Sequence, residues 1–233
     1  MCSRLRIDLH VHTAYSDGSG TVREIIQAAK AKGLDGLAIT DHATLEGYFK
    51  AKQYSGGMLI LPGYELSTDA GHVLVLGLEH LPSEKDIVNY EWLVKWARRE
   101  GGLTVLAHPA LNTGKQGRWV NCKTDAVEVL NASYPLSLFV KKGLKISKTL
   151  GVPSVGGSDA HFPGSVGDAY TVVETDGFRF EDFSRALRNG RVAFNGRLSP
   201  VSSRLRIGFR YLVGKRFPKG PSENASAFPF ISR

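Results

Sequence analysis

LRIDLHVHTAYSDGSGTVREIIQAAKAKGLDGLAITDH, residues 5–42, reads as one β-α-β unit. Leu5–His12 predicts a strand, and Thr21 followed by Glu24 forms a capping box. Val22, Ile25, Ile26 and Ala29 then give one apolar helical face before Gly33 stops the helix, and Gly36–His42 predicts the next strand. The same grammar continues. Strands are predicted at Met58–Leu66, His72–Leu78, Leu103–His108, Ala126–Asn131, Pro153–Ser158, Ala169–Glu174 and Arg191–Asn195. A helix is marked by Tyr90, Leu93, Val94 and Ala97, others span 136–150 and 180–188, and a short one starts near Leu45. Such alternation implies a mostly parallel sheet, closed as a barrel or open and doubly wound.

At 233 residues, with 42% apolar and 22% charged residues, the chain is long enough for one barrel-sized domain and an appendage. No apolar run approaches the roughly 20 residues of a bilayer span. The two cysteines, Cys2 and Cys122, cannot build a disulfide framework or a cysteine zinc ribbon, so a reducing cytoplasm is the expected compartment. The first ten residues meet charge too early for a signal peptide, which leaves the sequons at Asn131 and Asn224 as ordinary loop or strand-end asparagines. Net charge is +8, but residues 1–177 carry 18 Lys/Arg against 19 Asp/Glu, while residues 178–233 carry 12 against 3. The basicity belongs to the C-terminal quarter.

Six of the seven histidines fall where a packed core would not put them. His10 and His12 end the first strand, two apart and so on one face, with Asp8 on that same face. His42 closes LAITDH, Glu65 lies in LILPGYE, His72 opens GHVLVLG, His108 ends LTVLAHP, and Asp159 and His161 follow SVGG; His80 alone stands apart. Strand C-terminal ends are where parallel α/β folds assemble their sites. Asp17, in the loop before the first helix, adds a carboxylate to that mouth, although before Gly18 it also reads as a turn residue. Nine candidate ligands, His10, His12, Asp17, His42, Glu65, His72, His108, Asp159 and His161, exceed what one tetrahedral ion needs and imply two or three ions. Imidazole and carboxylate without thiolate suit Zn, Mn or Fe. Closely spaced divalent ions activate water and neutralise an in-line displacement at phosphorus, so phosphoester hydrolysis fits best.

In DLHVHTAYSDGSG (8–20), ITDH (39–42), GYE (63–65), GHVLVLG (71–77), AHP (107–109) and GSDAH (157–161) the chain resembles the PHP family, named for its polymerase and histidinol phosphatase members. The resemblance covers roughly residues 4–197. It implies a distorted seven-stranded β/α (TIM-like) barrel, here spanning 1–197, with a basic C-terminal extension at 198–233. It further implies three divalent ions. His10, His12, Glu65 and Asp159 would hold the first, Glu65, His72 and His108 the second, and Asp17, His42 and His161 the third. A hydroxide bridging the first two ions would be the nucleophile, with Glu65, Asp159 and His161 counted as catalytic. Asp8 and Asp41 would orient imidazoles from behind, or else be plain turn carboxylates; Lys115 and Arg118 in LNTGKQGRW are candidates for phosphate binding.

The expected substrate is a small phosphorylated metabolite or nucleotide. The segment SPVSSRLRIGFRYLVGKRF, 199–217, interleaves five cations with apolar and aromatic residues. It reads as a solvated face, as a track for single-stranded nucleic acid, as a membrane-surface segment, or as a lure for anionic substrates. A nuclease or end-processing enzyme is therefore the alternative, followed by a non-catalytic module stabilised by metal. Amidohydrolase barrels share HxH on the first strand, but they often use a bridging lysine, and no lysine stands at a predicted strand end here.

Overall fold

A computed structural model describes residues 3–83, 88–112 and 116–205. The strands are β1 (Ser3–Val11), β2 (Gly36–Ile39), β3 (Leu59–Thr68), β4 (Gly71–Leu76), β5 (Leu103–Leu106), β6 (Ala126–Asn131), β7 (Ser154–Gly157), β8 (Ala169–Thr175) and β9 (Val192–Gly196). They form one sheet in the order β7-β6-β5-β4-β3-β2-β1-β8-β9. All nine predicted strand segments are strands. The helices are α1 (Val22–Ala31), α2 (Glu46–Lys52), α3 (Tyr90–Arg99), α4 (Gln116–Asn121), α5 (Leu138–Leu150) and α6 (Phe180–Arg188). α4 replaces part of an expected loop: Trp119, fully buried, donates from its indole N–H to the Ala70 carbonyl and gives the short helix its anchor.

The sheet is a nearly closed barrel of nine strands rather than seven, and it is less parallel than expected. β1–β2, β2–β3, β5–β6 and β6–β7 are parallel; β3–β4, β4–β5, β1–β8 and β8–β9 are antiparallel. The extra strands have a physical place. Residues 3–7 of β1 pair with β8, whereas beyond His10 the same strand meets the end of β7, with Asp159 N donating to His10 O at 2.8 Å and His12 N to Ala160 O at 2.9 Å. The barrel thus closes at its upper rim while the antiparallel β8–β9 pair, joined through α6, is wedged into its lower half. There the Thr171 hydroxyl accepts from Gly156 N at 3.0 Å and donates to Gly156 O at 2.9 Å.

Among the described residues, two large apolar clusters hold this frame, beside a small third of Leu130, Ala132 and Ala169. Leu61, Leu74, Leu76, Leu103, Val105, Ala126 and Val155 from successive strands pack with Phe183, Ala186 and Leu187 of α6. The second cluster packs Leu37, Ile39, Val73, Val75, Val127 and Val129 against Ile25 and Ile26 of α1, Leu93 and Val94 of α3, and Ile146 and Leu150 of α5. Each buried Val, Leu, Ile or Phe among them is worth about 1.5–3 kcal/mol relative to exposure. The chain beyond 197 is held too: Ser199 donates from its hydroxyl to buried Asp168 at 2.8 Å, and Lys32 pairs with the same carboxylate at 2.9 Å. Arg204 donates to the carbonyls of Ser199, Tyr134 and Pro135. The remainder of the expected basic extension lies outside the described residues. No helix among the described residues is long and apolar enough to cross a membrane.

The capping box of α1 is complete: Thr21 Oγ1 accepts from Glu24 N, and the Glu24 carboxylate accepts from Thr21 N at 2.8 Å, bonds that hold Glu24 below its ordinary pKa. Thr21→Ala should cost about 1 kcal/mol. Urea denaturation should show this as a lower midpoint at an unchanged slope.

Candidate metal centre

The geometry begins with strands that slip. β1 advances from Asp8 to Val11 while β2 advances only from Leu37 to Ile39, so β1 carries one extra residue where its histidines begin. Such a slip re-aims a side chain. The Asp8 carboxylate turns to the backbone, accepting from Ser158 N at 2.9 Å, Gly167 N at 2.8 Å and His10 N at 3.3 Å. Burial pushes its pKa up to about 6 although those amides pull it down. At two other strand ends the chain turns through left-handed backbone, with φ of 31° at His108 and 52° at Asp159. Ala43, after His42, is the third such non-glycine residue among those described, at 49°. This conformation costs about 1–3 kcal/mol for a residue with a side chain and gathers at functional sites. His72 reaches the same rim by a different route. β4 runs antiparallel, so its start, not its end, lies beside its neighbours' C-termini.

All nine predicted ligands converge. Glu65, 2% exposed, is the hub. Its Oε1 lies 2.9 Å from His72 Nδ1 and 3.1 Å from His108 Nε2. Its Oε2 lies 3.4 Å from His10 Nε2, 3.3 Å from His12 Nε2 and 3.4 Å from His42 Nδ1. Asp159 Oδ1 stands 3.5 Å from His10 Nε2, 3.4 Å from His12 Nε2 and 3.6 Å from His161 Nδ1. Asp17 Oδ2 is 3.1 Å from His161 Nε2 and 3.6 Å from His42 Nε2. Four sets offer ligand atoms close enough to share an ion: His10, His12 and Glu65; His10, His108 and Asp159; Glu65, His72 and His108; and His12, Asp17, His42 and His161. His12 belongs to two of them. His80 lies apart, paired with Glu100.

Charge follows from this packing. Burial opposes protonation of His10, but Asp159, Glu128 and Glu65 outweigh it and hold its pKa well above the ordinary range. His12 is likewise raised, to about 10, by Asp159 and Glu65 against the cost of burial. Burial would raise the pKa of Glu65 and Asp159, yet His10 beside each holds both well below the usual carboxylate range. In Asp17 the same cost is outweighed by His161 and His42. Positive charge is what this cavity accommodates, and its donor set fits a metal ion. The donors are imidazole nitrogens and carboxylate oxygens, and His12 Nδ1 is buried with no hydrogen-bond partner.

The other expected residues fare differently. Asp41 accepts from Thr13 N at 2.7 Å, from Thr13 Oγ1 at 2.6 Å and from Ser16 Oγ at 2.6 Å, pinning the Asp17 loop rather than an imidazole. Arg118 sits on α4 and pairs with Asp69; Lys115 lies outside the described residues. Gly18 is required by close approach, since a Cβ there would stand 2.5 Å from His12 O and 2.8 Å from Thr13 O. The sequence reading missed Glu128, a buried acid on β6 whose Oε1 accepts from His10 Nδ1 at 3.0 Å. Its one signal is an acid inside the apolar strand AVEVLN, residues 126–131. Asn131, passed over as a sequon, is buried and donates to both Glu128 and Asp159.

Comparison with known proteins supplies the family. The PHP domain model matches residues 8–116, and the PHP-associated model matches residues 140–192. An uncharacterized protein of Methanocaldococcus jannaschii is 31% identical over 144 residues, 55% of this chain and 82% of that protein. A phosphoribosyl 1,2-cyclic phosphate 1,2-diphosphodiesterase of Eggerthella lenta is 36% identical over 80 residues, which is 31% of this chain and 30% of that enzyme. A two-domain protein of Bacteroides vulgatus, described as containing a predicted PHP-like metal-dependent phosphoesterase, superposes with a TM-score of 0.72 at 19% identity, over 84% of this chain and 66% of that one. With the family models matching both halves of the barrel and a relative matching over most of its own length, this chain belongs to the PHP family of metal-dependent phosphoesterases.

Proposed function

We propose that the protein hydrolyses a phosphate monoester of a small metabolite or nucleotide at a site for three divalent ions, Zn, Mn or Fe. His10, His12, Glu65 and Asp159 would hold one ion, Glu65, His72 and His108 a second, and Asp17, His42 and His161 a third. The observation that carries this reading is the division of labour within Glu65. One oxygen faces His72 and His108 while the other faces His10 and His12, as a carboxylate shared between two ions would. Bound ions of this kind supply an activated water at neutral pH and neutralise charge on a phosphoryl group. The chain's own side chains fix where that happens. Asp159 and His161, joined through His161 Nδ1 and the Asp159 carbonyl at 3.0 Å, set the side of the site nearest Asp17. Asp41 holds the loop that presents Asp17.

Depth supports the substrate class. His10, His12 and Glu65 lie at the floor with almost no exposure, whereas the side chains of Asp17, His42 and His72 are about one third exposed. A terminal phosphate reaches such a floor more readily than an internal diester of a stiff polymer. The basic C-terminal quarter favours the second reading, an end-processing enzyme on single-stranded nucleic acid, in which the extension would track the backbone. Salt separates the two. Hydrolysis of end-labelled oligonucleotides by the full chain should show a steep loss of kcat/KM with added salt if the polymer reading holds. Equal salt response for p-nitrophenyl phosphate, nucleotides and oligonucleotides supports the small-substrate reading.

Chelator-stripped protein should melt at a lower temperature than protein given Mn or Zn. At a hundredfold excess over Kd the ligand adds about 2.7 kcal/mol, equivalent to about 5–10 °C for a chain of this size. An unchanged melting temperature together with no metal on elemental analysis refutes the proposal. His12→Ala should lower kcat/KM by more than about 100-fold, beyond what losing a group outside the ligand set costs, with far-UV circular dichroism preserved. Gly18→Ala should displace the Asp17 loop and reduce the metal content of the purified protein.

A further inference from the structure

Glu128 is 1% exposed, and among the described residues its ion-pair partner is His10. Burying a carboxylate without a Lys or Arg beside it costs several kcal/mol, so its other bonds matter. Oε1 accepts from His10 Nδ1 at 3.0 Å, which leaves His10 Nε2 as the nitrogen facing Glu65, His12 and Asp159. Oε2 accepts from the backbone N–H of His108 at 2.8 Å, at the residue whose φ of 31° turns its imidazole toward Glu65. Oε2 also accepts from Asn131 Nδ2 at 2.9 Å, and the same amide nitrogen donates to Asp159 Oδ2 at 3.1 Å. Asn131 is fixed in turn by accepting from Ser133 N at 2.8 Å. The strand makes this reach possible: β6 also carries one extra residue between Glu128 and Leu130 relative to β7. Space is reserved for it as well, because a Cβ at Gly157 would stand 2.6 Å from Glu128 Oε1 and 2.6 Å from His10 Cβ.

We infer that Glu128, aided by Asn131, is a positioning residue of the metal centre: it sets which nitrogen His10 presents and holds His108 and Asp159 in their turned conformations before an ion arrives. The inference rests on reading the rim as a metal centre. A carboxylate behind an imidazole ligand fixes its tautomer and orientation, and losing such a partner typically weakens metal binding about 10–100-fold.

The test uses the full chain carrying Glu128→Gln, stripped of metal and titrated calorimetrically with zinc. Zinc should bind about 10–100-fold more weakly at the sites built from His10 and His108. Sites built from Asp17, His42 and His161 should be spared. The cobalt-loaded variant should show altered visible absorption, and its melting temperature in chelator should stay close to that of the wild type. Asn131→Ala, which removes the donor to Glu128 Oε2 and Asp159 Oδ2 while leaving the Glu128 carboxylate in place, should weaken zinc binding in the same direction. A folded Glu128→Gln protein with wild-type zinc affinity and an unchanged cobalt spectrum overturns the positioning role. Unfolding of both variants in chelator assigns Glu128 to the fold and overturns it equally. A wild-type protein that binds no zinc, manganese or cobalt defeats the metal reading itself.

Discussion

One buried carboxylate organises this molecule. Glu65 is nearly inaccessible, and five imidazoles from β1, β4 and the segments following β1, β2 and β5 stand within 3.5 Å of its two oxygens. In a low-dielectric interior neither an isolated carboxylate nor a crowd of imidazoles is tolerable alone. Together they are, because each offsets the burial cost of the other. The antiparallel turn between β3 and β4 follows from the same requirement, since only a reversed β4 can bring its first residues to the rim where Glu65 points.

Regularity is given up wherever the rim demands it. β1 and β6 each carry an extra residue beside the polar cluster, and His108 and Asp159 take left-handed backbone that most residues avoid. The apolar clusters below and around the sheet make these local departures affordable. Their strands pair in register elsewhere, so the strain is confined to a ring of residues at one end.

Much of this was legible beforehand because it depends on spacing along the chain. The α1 capping box, the nine strand segments and the concentration of histidines near strand ends are local patterns, and each appears where expected. Three things were not legible. The partners of Asp8 cannot be read from alternation along β1, because the Ser158 and Gly167 amides from which it accepts lie far away along the chain. Glu128 and Asn131 act across the barrel on residues with no sequence proximity to them. α4 looked like loop because its anchor, Trp119, finds the Ala70 carbonyl only after β3 and β4 have turned.

The strap formed by Ser199 and Arg204 also secures a loop on the far side of the rim. Ser199 N bonds Ala132 O, and Arg204 bonds the carbonyls of Tyr134 and Pro135. Between these anchor points Ser133 donates to the carbonyl of Asp159 at 3.2 Å. Residues 199–204 are therefore a brace behind the histidine ring, clamping the 132–135 segment whose Ser133 holds the Asp159 carbonyl.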